Sequence, residues 1–400
     1  MLSRIKSLAL REEGNVAVVV AVALVPLMGA TGLALDYNRT SHDRSGLQNA
    51  ADSAALAALL SDSPSQTARV EAASQVFKAN ASAGLDAALD VKVSDVEAEV
   101  TVSGQVPASF MKVLGTKSIP VAAYAKAVMS NDGPPACIMA LSGSGTGIDI
   151  GGNASVTASN CALYSNSSMS IGGSSTVSAA GYCAAGTVSS SYKLSPSAKN
   201  GCPKRSDPYA GLKEPANIAC EASKKNVSVG PNQDATLNQG VYCGGLDLKG
   251  TVTLNPGLYV IRDGALTINS KADVAGEGVT FYLVGSDATF TINGGGKISL
   301  KAPTTGDYKG VLIYQDRDST ASGSKLNGNS DTVLVGAIYA PTQQITLNGT
   351  GTFGQGSPYM PIVADTVKIT GNNTTVVNLN PKLSAEMPLP QMPGSVRLAK

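Results

Sequence analysis

The sequence predicts an N-terminal transmembrane helix with a small α+β module, followed by an all-β domain that is most consistent with a β-solenoid. Three observations support this fold class. Residues 16–35 carry no charge, residues 36–131 show helical and then alternating patterns, and residues 136–380 consist of short β-rich runs separated by Gly and Asn turns. Each pattern covers a different part of the chain, so the fold class changes along the sequence.

The uncharged run is long enough to cross a membrane. At about 1.5 Å per residue, a helix over residues 16–35 spans the hydrocarbon core of a bilayer. Arg4, Lys6 and Arg11 precede the run. The positive-inside rule therefore places residues 1–15 in the cytoplasm and everything after the span on the opposite side of the membrane.

A cleaved signal peptide is the main alternative to a membrane anchor. Small residues at Gly32 and Ala34 suit a signal peptidase, and cleavage after Ala34 would release a secreted structural protein. The apolar run exceeds the roughly 7–15 residues usual in signal peptides, which favours the anchor. A prepilin-type cut after Gly14 is a third alternative, and it would normally require a glutamate where Val19 stands.

The helix is expected to continue beyond the membrane, over residues 36–60. An Ala/Leu-rich run places small residues on one stripe at helical spacing, and such a stripe admits a second backbone at close range. Packing against the protein's own domain is favoured over packing against a partner helix. Glycines in the span also leave room for a partner. The candidates for a helix interface are Gly29, Gly32, Ala51, Ala54 and Ala58.

The rest of the module mixes helices and strands. Ser63-Pro64 is a favourable helix start, and alternation of apolar with polar residues later indicates strands. The sequence Asp132-Gly-Pro-Pro ends the module near Asn131. The predicted elements are a helix from Ser63 to about Asn80, a strand over Val91–Gln105, a short helix over Ala108–Leu114 and a strand over Ile119–Met129.

The region from 136 to 380 contains quasi-repeats of short strands and turns. A turn followed by an aromatic residue recurs as Gln239-Gly-Val-Tyr, Pro256-Gly-Leu-Tyr and, more loosely, Gly336-Ala-Ile-Tyr. Short strands with Gly or Asn turns are typical of solenoids, in which each turn buries its side chains against the next. A β-sandwich, the alternative, would show longer strands. A Pro-rich tail, expected to be extended or disordered, occupies residues 381–400.

The cysteines indicate an oxidising compartment. All six follow the apolar run and their number is even, which predicts up to three disulfides in an exported domain. The cysteines form no Cys-x-x-Cys pair and have no histidine nearby, and both facts argue against a metal site. We therefore expect neither a metal nor a cofactor. Six cysteines allow fifteen pairings. Our working hypothesis joins sequence neighbours: Cys137 to Cys161, Cys183 to Cys202 and Cys220 to Cys243.

One irregular stretch, residues 184–233, interrupts the repeats. It carries five prolines and six lysines with little β pattern. Long irregular segments inside a compact domain are functional or need pinning, and the cysteines within and beside this stretch would pin it. We expect a solvated lysine-bearing loop in preference to a binding site for an acidic ligand.

Most kinds of catalytic site are disfavoured. The only histidine is His42 on the presumed helix, so the β-domain lacks the residues of a Ser–His–Asp or Cys–His site. A formal net charge of +1 gives no basis for nucleic-acid binding. The sole enzymatic hypothesis concerns Asp316, Arg317 and Asp318. In a strand, the carboxylates of Asp316 and Asp318 would share one face, opposite Arg317, and two carboxylates can perform glycoside chemistry. A salt-bridged turn is favoured there, and we predict a non-enzymatic protein.

Several phrases near the N-terminus resemble the TadE/TadG-like proteins of bacterial Flp (Tad) type IV pilus assembly. They are Glu13-Gly-Asn-Val-Ala, the exit Asp36-Tyr37, and Leu47-Gln-Asn-Ala-Ala-Asp-Ser-Ala-Ala-Leu-Ala-Ala, in that order. The resemblance covers about residues 10–60. The Gly/Asn-rich remainder is loosely similar to the β-domain of some of these proteins, through phrases such as Pro256-Gly-Leu-Tyr and Tyr314-Gln-Asp-Arg.

The resemblance implies a single-pass protein of the bacterial inner membrane with a cytoplasmic N-terminus and a periplasmic or surface-directed β-domain. Its expected partners are other Tad/Flp pilus-assembly membrane proteins, and its expected role is pilus assembly, adhesion or biofilm formation. The chain has no Asp-x-Ser-x-Ser motif, so cation-dependent adhesion through a von Willebrand A-like domain is not supported. The alternative is a surface glycan-binding or glycan-cleaving solenoid, for which surface polysaccharide would be the partner.

Overall fold

A computed structural model describes two compact units. The described residues are 15–61, 65–82, 86–94, 96–130, 133–321, 323–328, 331–380 and 396–399. Among the described residues, the first unit contains those up to Met129 together with 396–399, and the second contains those from 130 to 380. The second unit is therefore inserted, in chain order, between two segments of the first.

The first unit is an α+β module. Its helices are α1 (Asn15–Leu60) and α2 (Gln66–Asn80), and the predicted helix start at Ser63-Pro64 lies outside the described residues. Its antiparallel sheet contains β1 (Asp86–Val93), β2 (Glu97–Pro107), β3 (Ser118–Met129) and a C-terminal strand (Val396–Ala399), in that order. A 3₁₀ turn, Met111–Leu114, lies between β2 and β3.

Helix α1 has two different halves. Its part from Val19 to Leu35 presents large apolar side chains to the outside. The helix from Val19 onward is long and apolar enough, by length and composition, to cross a membrane. Its part from Leu47 to Leu59 is buried against the sheet and α2. A helix that is apolar all round can be stable in lipid, whereas an apolar stripe belongs in a protein core.

Three details of the module differ from the prediction. The short helix predicted over Ala108–Leu114 is only the 3₁₀ turn Met111–Leu114. The strand predicted over Val91–Gln105 is a hairpin, because β1 ends at Val93 and β2 begins at Glu97. The Ser94 hydroxyl accepts the Glu97 backbone N–H at 3.1 Å, and this short-range turn contact is not visible in the alternating pattern. At the other end, residues 396–399 of the predicted tail form a strand paired with β3, while 381–395 lie outside the described residues.

The second unit is a β-solenoid of about 11 turns, as the sequence predicts. The ladders of its two sheets are parallel. Its strands are β4 (Ala136–Ala140), β5 (Thr146–Ile150), β6 (Ser155–Ser165), β7 (Ser168–Ile171), β8 (Thr176–Ala184), β9 (Val188–Ser190), β10 (Lys199–Asn200), β11 (Lys225–Val229), β12 (Asp234–Leu237), β13 (Gly240–Leu248), β14 (Thr251–Leu254), β15 (Gly257–Arg262), β16 (Leu266–Ile268), β17 (Asp273–Glu277), β18 (Val279–Val284), β19 (Phe290–Asn293), β20 (Ile298–Lys301), β21 (Val311–Gln315), β22 (Ser324–Asn327), β23 (Thr332–Val335), β24 (Ala337–Leu347), β25 (Thr352–Phe353), β26 (Ile362–Ile369) and β27 (Thr374–Val376).

A single turn contains three short strands. The strands β15, β16 and β17 stack in register on β18, β19 and β20 of the following turn. The recurring Gly-x-Tyr phrase begins such a turn: Gly240 and Gly257 have φ values of 143° and 144°, a region that favours glycine. The phrase then places Tyr242 and Tyr259 in the interior, with ring centroids 5.8 Å apart.

The turns do not stack in chain order. Strand β4 pairs with β26, so the first turn of the domain stacks on one of its last. The N-terminal turns then continue through β6 and β8, and the turn containing β13 lies near the far end of the same sheet. The segment between β10 and β11 must therefore return along the solenoid. We call residues 201–221 of this segment the crossover.

Candidate functional site

The crossover runs along one outer face of the solenoid. From Cys202 to Cys220 it crosses nine adjacent strands. At about 4.8 Å per strand the distance is roughly 40 Å, which 18 residues can span when partly extended. Its contacts follow the spatial order of the turns. They are Tyr164 to the Pro203 carbonyl, Asn166 to the Arg205 carbonyl, Tyr339 to the Asp207 carboxylate, Arg317 to the Leu212 carbonyl and Arg262 to the Ile218 carbonyl.

Disulfides hold the crossover at both ends. Cys183–Cys202 ties its beginning to β8, and Cys220–Cys243 ties its end to β13, with Cα–Cα distances of 6.0 and 5.7 Å. The third disulfide, Cys137–Cys161, joins the neighbouring strands β4 and β6. These are the three pairs of sequence neighbours expected from the sequence. The pinning expected for the irregular stretch is therefore achieved by two of them.

Tyrosines fill the space between the crossover and the sheet. Tyr282, Tyr314 and Tyr339 come from successive turns, with centroid distances of 4.9 and 5.3 Å, and Tyr209 of the crossover packs on Tyr339 at 5.3 Å. All four are buried. Burial raises the pKa of Tyr314 to about 12 and raises those of the other three further, so the ladder is uncharged at neutral pH.

Arg317 connects this tyrosine ladder to the crossover. Its guanidinium donates to the carbonyls of Tyr209 and Leu212, at 2.5 and 3.2 Å, and lies 5.4 Å from the centroid of the Tyr314 ring. Glu214 stands 3.8 Å away as a partly exposed ion-pair partner. Arginine suits this position because its planar group can donate in two directions while stacking on an aromatic ring.

The predicted pair of carboxylates does not share a strand face. Residues 316–318 follow β21 in a turn, and Asp316 is buried, accepting hydrogen bonds from the Tyr282 hydroxyl and, at 2.7 Å, from the Asp318 backbone N–H. Asp318 is exposed. The favoured alternative is met in part: the segment is a turn, but Arg317 forms its ion pair with Glu214 and not with either aspartate. Asp316 has its oxygens committed inside the protein, and only Asp318 faces outward.

The module has its own buried carboxylate at the exit from the apolar span. Asp36 accepts the backbone N–H groups of Ser109, Phe110 and Met111 at 3.0, 2.8 and 2.7 Å. These donors, with that of Met111 contributing most, hold its pKa below the usual 3.8. The sequence showed Asp36-Tyr37 as a recognisable phrase, but the partners of Asp36 lie more than 70 residues away and gave no local signal.

The candidates for a helix interface divide into two groups. Ala51, Ala54 and Ala58 are fully buried in the module core, so they contact their own domain, which was the favoured alternative. Gly32 is also covered, since a Cβ there would lie 2.9 Å from Phe110. A Cβ added to Gly29 would meet no atom within 4 Å, so this position stays open to a neighbour.

The described residues offer no group of side chains suited to a metal ion. Within those ranges, no group of three or more His, Cys, Asp or Glu side chains could hold one. The cysteines are all engaged in disulfides.

Family comparisons address the two units separately. Residues 14–74 match the family model described as Putative Flp pilus-assembly TadE/G-like. Residues 14–74 of the N-terminal module are TadE/G-like. The match confirms the resemblance seen in the first 60 residues and extends it to α2. Residues 209–386, from the crossover to the end of the solenoid, match a domain of unknown function, DUF7305. No curated protein and no solved structure gives a match to the chain.

Overpacking the TadE/G-like module should destabilise it. Ala54→Leu inserts a larger side chain into a core position with no exposed surface, and we expect a loss of about 1–3 kcal/mol in the free energy of unfolding. Urea unfolding of the full chain, followed by hydrogen exchange of α2 amides, measures the effect. Asn49→Leu, on the exposed side of α1, is the matched control and should change stability little. Equal stability of both variants would contradict the packing of this helix.

Proposed function

We propose that this protein is a membrane-anchored accessory or structural protein of Flp pilus assembly that contributes to adhesion or biofilm formation through an exported β-solenoid. The observation that carries the proposal is the TadE/G-like match over residues 14–74, which contains the apolar span, the rest of α1 and the first part of α2. The expected partners are other Tad/Flp membrane proteins. Because Ala51, Ala54 and Ala58 are buried, such partners would meet other surfaces of the module.

The proposed location is the bacterial inner membrane. Residues 16–35 would cross it once with the N-terminus in the cytoplasm, and the solenoid would lie in the periplasm or be directed to the surface. Three disulfides in the solenoid support export, because disulfides persist in oxidising compartments and are rare in the cytosol.

The proposed role of the solenoid is structural and not enzymatic. Stacked parallel turns bury a continuous core, and the doubly stapled crossover adds a second apolar layer on one outer face. Both features favour a stiff platform. A glycan-cleaving site would have used Asp316 and Asp318 together, and the buried position of Asp316 under Tyr282 gives that alternative no support.

Deletion of the gene in its host tests the proposal. Pili are scored by electron microscopy and attachment to a surface is scored in parallel, with the full-length gene returned as the control. We expect pili or attachment to be lost and then restored.

The two readouts separate the parts of the proposal. Loss of pili supports a role in assembly, whereas normal pili with lost attachment support a role in adhesion through the solenoid. Normal pili together with normal attachment would overturn the assignment to pilus function.

A further inference from the structure

A short loop beside the apolar span exposes large apolar side chains. Residues 108–117, which we call the 108–117 loop, connect β2 to β3 and contain the 3₁₀ turn. Phe110 is 51% exposed and Val113 is 87% exposed. Side chains this apolar are usually covered in a soluble protein, so a contiguous patch of them indicates an interaction surface.

The loop lies at the level of the last turn of the span. A Cβ added to Gly32 would approach Phe110 to 2.9 Å, so the Phe110 side chain packs directly on the helix backbone there. Gly32 precedes Asp36 by one helical turn, or about 6 Å along the axis. Phe110 therefore lies beside residues that the sequence assigns to the membrane span.

Several backbone N–H groups of the loop have hydrogen-bond acceptors within the protein, as an apolar environment requires. Asp36 accepts three of its N–H groups, and the N–H groups of Val113, Gly115 and Thr116 donate to carbonyls within the loop at 3.0 to 3.1 Å. An unsatisfied backbone group costs several kcal/mol in lipid, so irregular backbone enters a membrane only when such partners are present.

Exposed basic residues and an apolar groove adjoin the apolar side chains of the loop. Arg39, Lys112 and Lys117 are exposed around the apolar side chains, where they can reach lipid phosphates while their stems lie along apolar surface. An adjoining groove of about 450 Å³ has Leu33, Tyr37, Met111, Ile119 and Pro120 among its lining residues, with Thr40, Thr116 and Ser118 as the polar ones. Its open shape and largely apolar lining suit an acyl chain.

We propose that the 108–117 loop inserts Phe110, Met111 and Val113 into the lipid leaflet at which α1 leaves the membrane, with anionic phospholipid as the occupant of this surface. The surface is continuous with the apolar span, and this continuity favours lipid over a protein partner. The inference rests on the proposed membrane anchor. Two contacts with the membrane, one spanning and one interfacial, would fix the orientation of the TadE/G-like module.

Tryptophan fluorescence tests the insertion directly, because the chain contains no Trp. Three single-Trp variants of the full chain are reconstituted into vesicles containing phosphatidylglycerol and acyl-chain-brominated lipid: V113W in the loop, V25W in the span and Y124W as the aqueous control. Tyr124 is exposed, and its carbonyl accepts from Gln48, about 18 Å along α1 from Asp36. We expect bromine to quench V113W to a degree comparable with V25W and Y124W only slightly.

Each pattern of quenching decides between explanations. Quenching of V25W without V113W would overturn loop insertion and leave the anchor standing. The same result is expected if the loop is covered by a protein partner instead of lipid. Quenching of neither would reject the anchor itself. Equal quenching of all three variants would also overturn the inference, because the module would then contact lipid without preference. Asp36→Asn in the V113W protein should reduce quenching, since it removes the charge that orders the loop.

Discussion

Serine at both Cys220 and Cys243 is expected to free the end of the crossover from the solenoid. The disulfide closes a loop of 23 residues, and removing such a link costs about 3 kcal/mol through the entropy regained by the open chain. We expect hydrogen exchange at the hydrogen-bonded amide of Leu212 to accelerate about 100-fold in the double variant. The amide of Arg205, beside the intact Cys183–Cys202 disulfide, should change less. Exchange across β18 and β21, which form the sheet beneath, should change much less.

The third disulfide provides a matched control. Cys137–Cys161 has a sequence separation of 24, nearly the same as the crossover staple, but it joins two neighbouring turns. Serine at both Cys137 and Cys161 should therefore cost a similar free energy without exposing crossover amides. Equal acceleration of crossover exchange in both double variants would show that the staple has no specific effect on docking.

The local pattern of the solenoid was predictable from the sequence. Gly257 with its positive φ, Tyr259 facing the interior and the short strands between turns are all properties of a few neighbouring residues. The Cys137–Cys161 disulfide follows the same logic, because consecutive turns place residues about 20 to 25 positions apart side by side. The other two disulfides join the crossover to a strand, and turn spacing gave no basis for their pairing.

The stacking order of the turns was not predictable in this way. Turns with similar patterns can stack on one another in many orders, so nothing in Ile138 or Ile362 indicates that β4 pairs with β26. The crossover and the tyrosine ladder follow from that order, and for this reason Arg317 was assigned to a turn without its partners. Asp36 was missed similarly, because its donors come from a loop far along the chain.

Arg317→Ala is expected to loosen the middle of the crossover strongly. The change removes the donor to the carbonyls of Tyr209 and Leu212 and the cation beside Tyr314. Each carbonyl keeps a second donor, the Leu212 N–H for Tyr209 and the Tyr314 hydroxyl for Leu212. The variant therefore loses two hydrogen bonds from a charged group without orphaning an acceptor, and we expect a total of about 2–4 kcal/mol. Arg317→Lys keeps the charge but loses the planar fork, and it should fall between the wild type and the alanine variant.

Asp318→Asn isolates the effect of the arginine from that of the turn. Asp318 is exposed, and its backbone N–H still donates to Asp316 after the substitution, so stability should stay within about 0.5 kcal/mol of the wild type. The readout is hydrogen exchange at the Leu212 amide, together with binding of the full chain to a panel of polysaccharides. A lysine variant as stable as the wild type would mean that charge alone holds the crossover. If the wild type binds a polysaccharide and D318N does not, while the crossover amides stay protected from exchange, the glycan hypothesis is restored. The exposed Asp318 carboxylate would then contact the bound polysaccharide and not the fold.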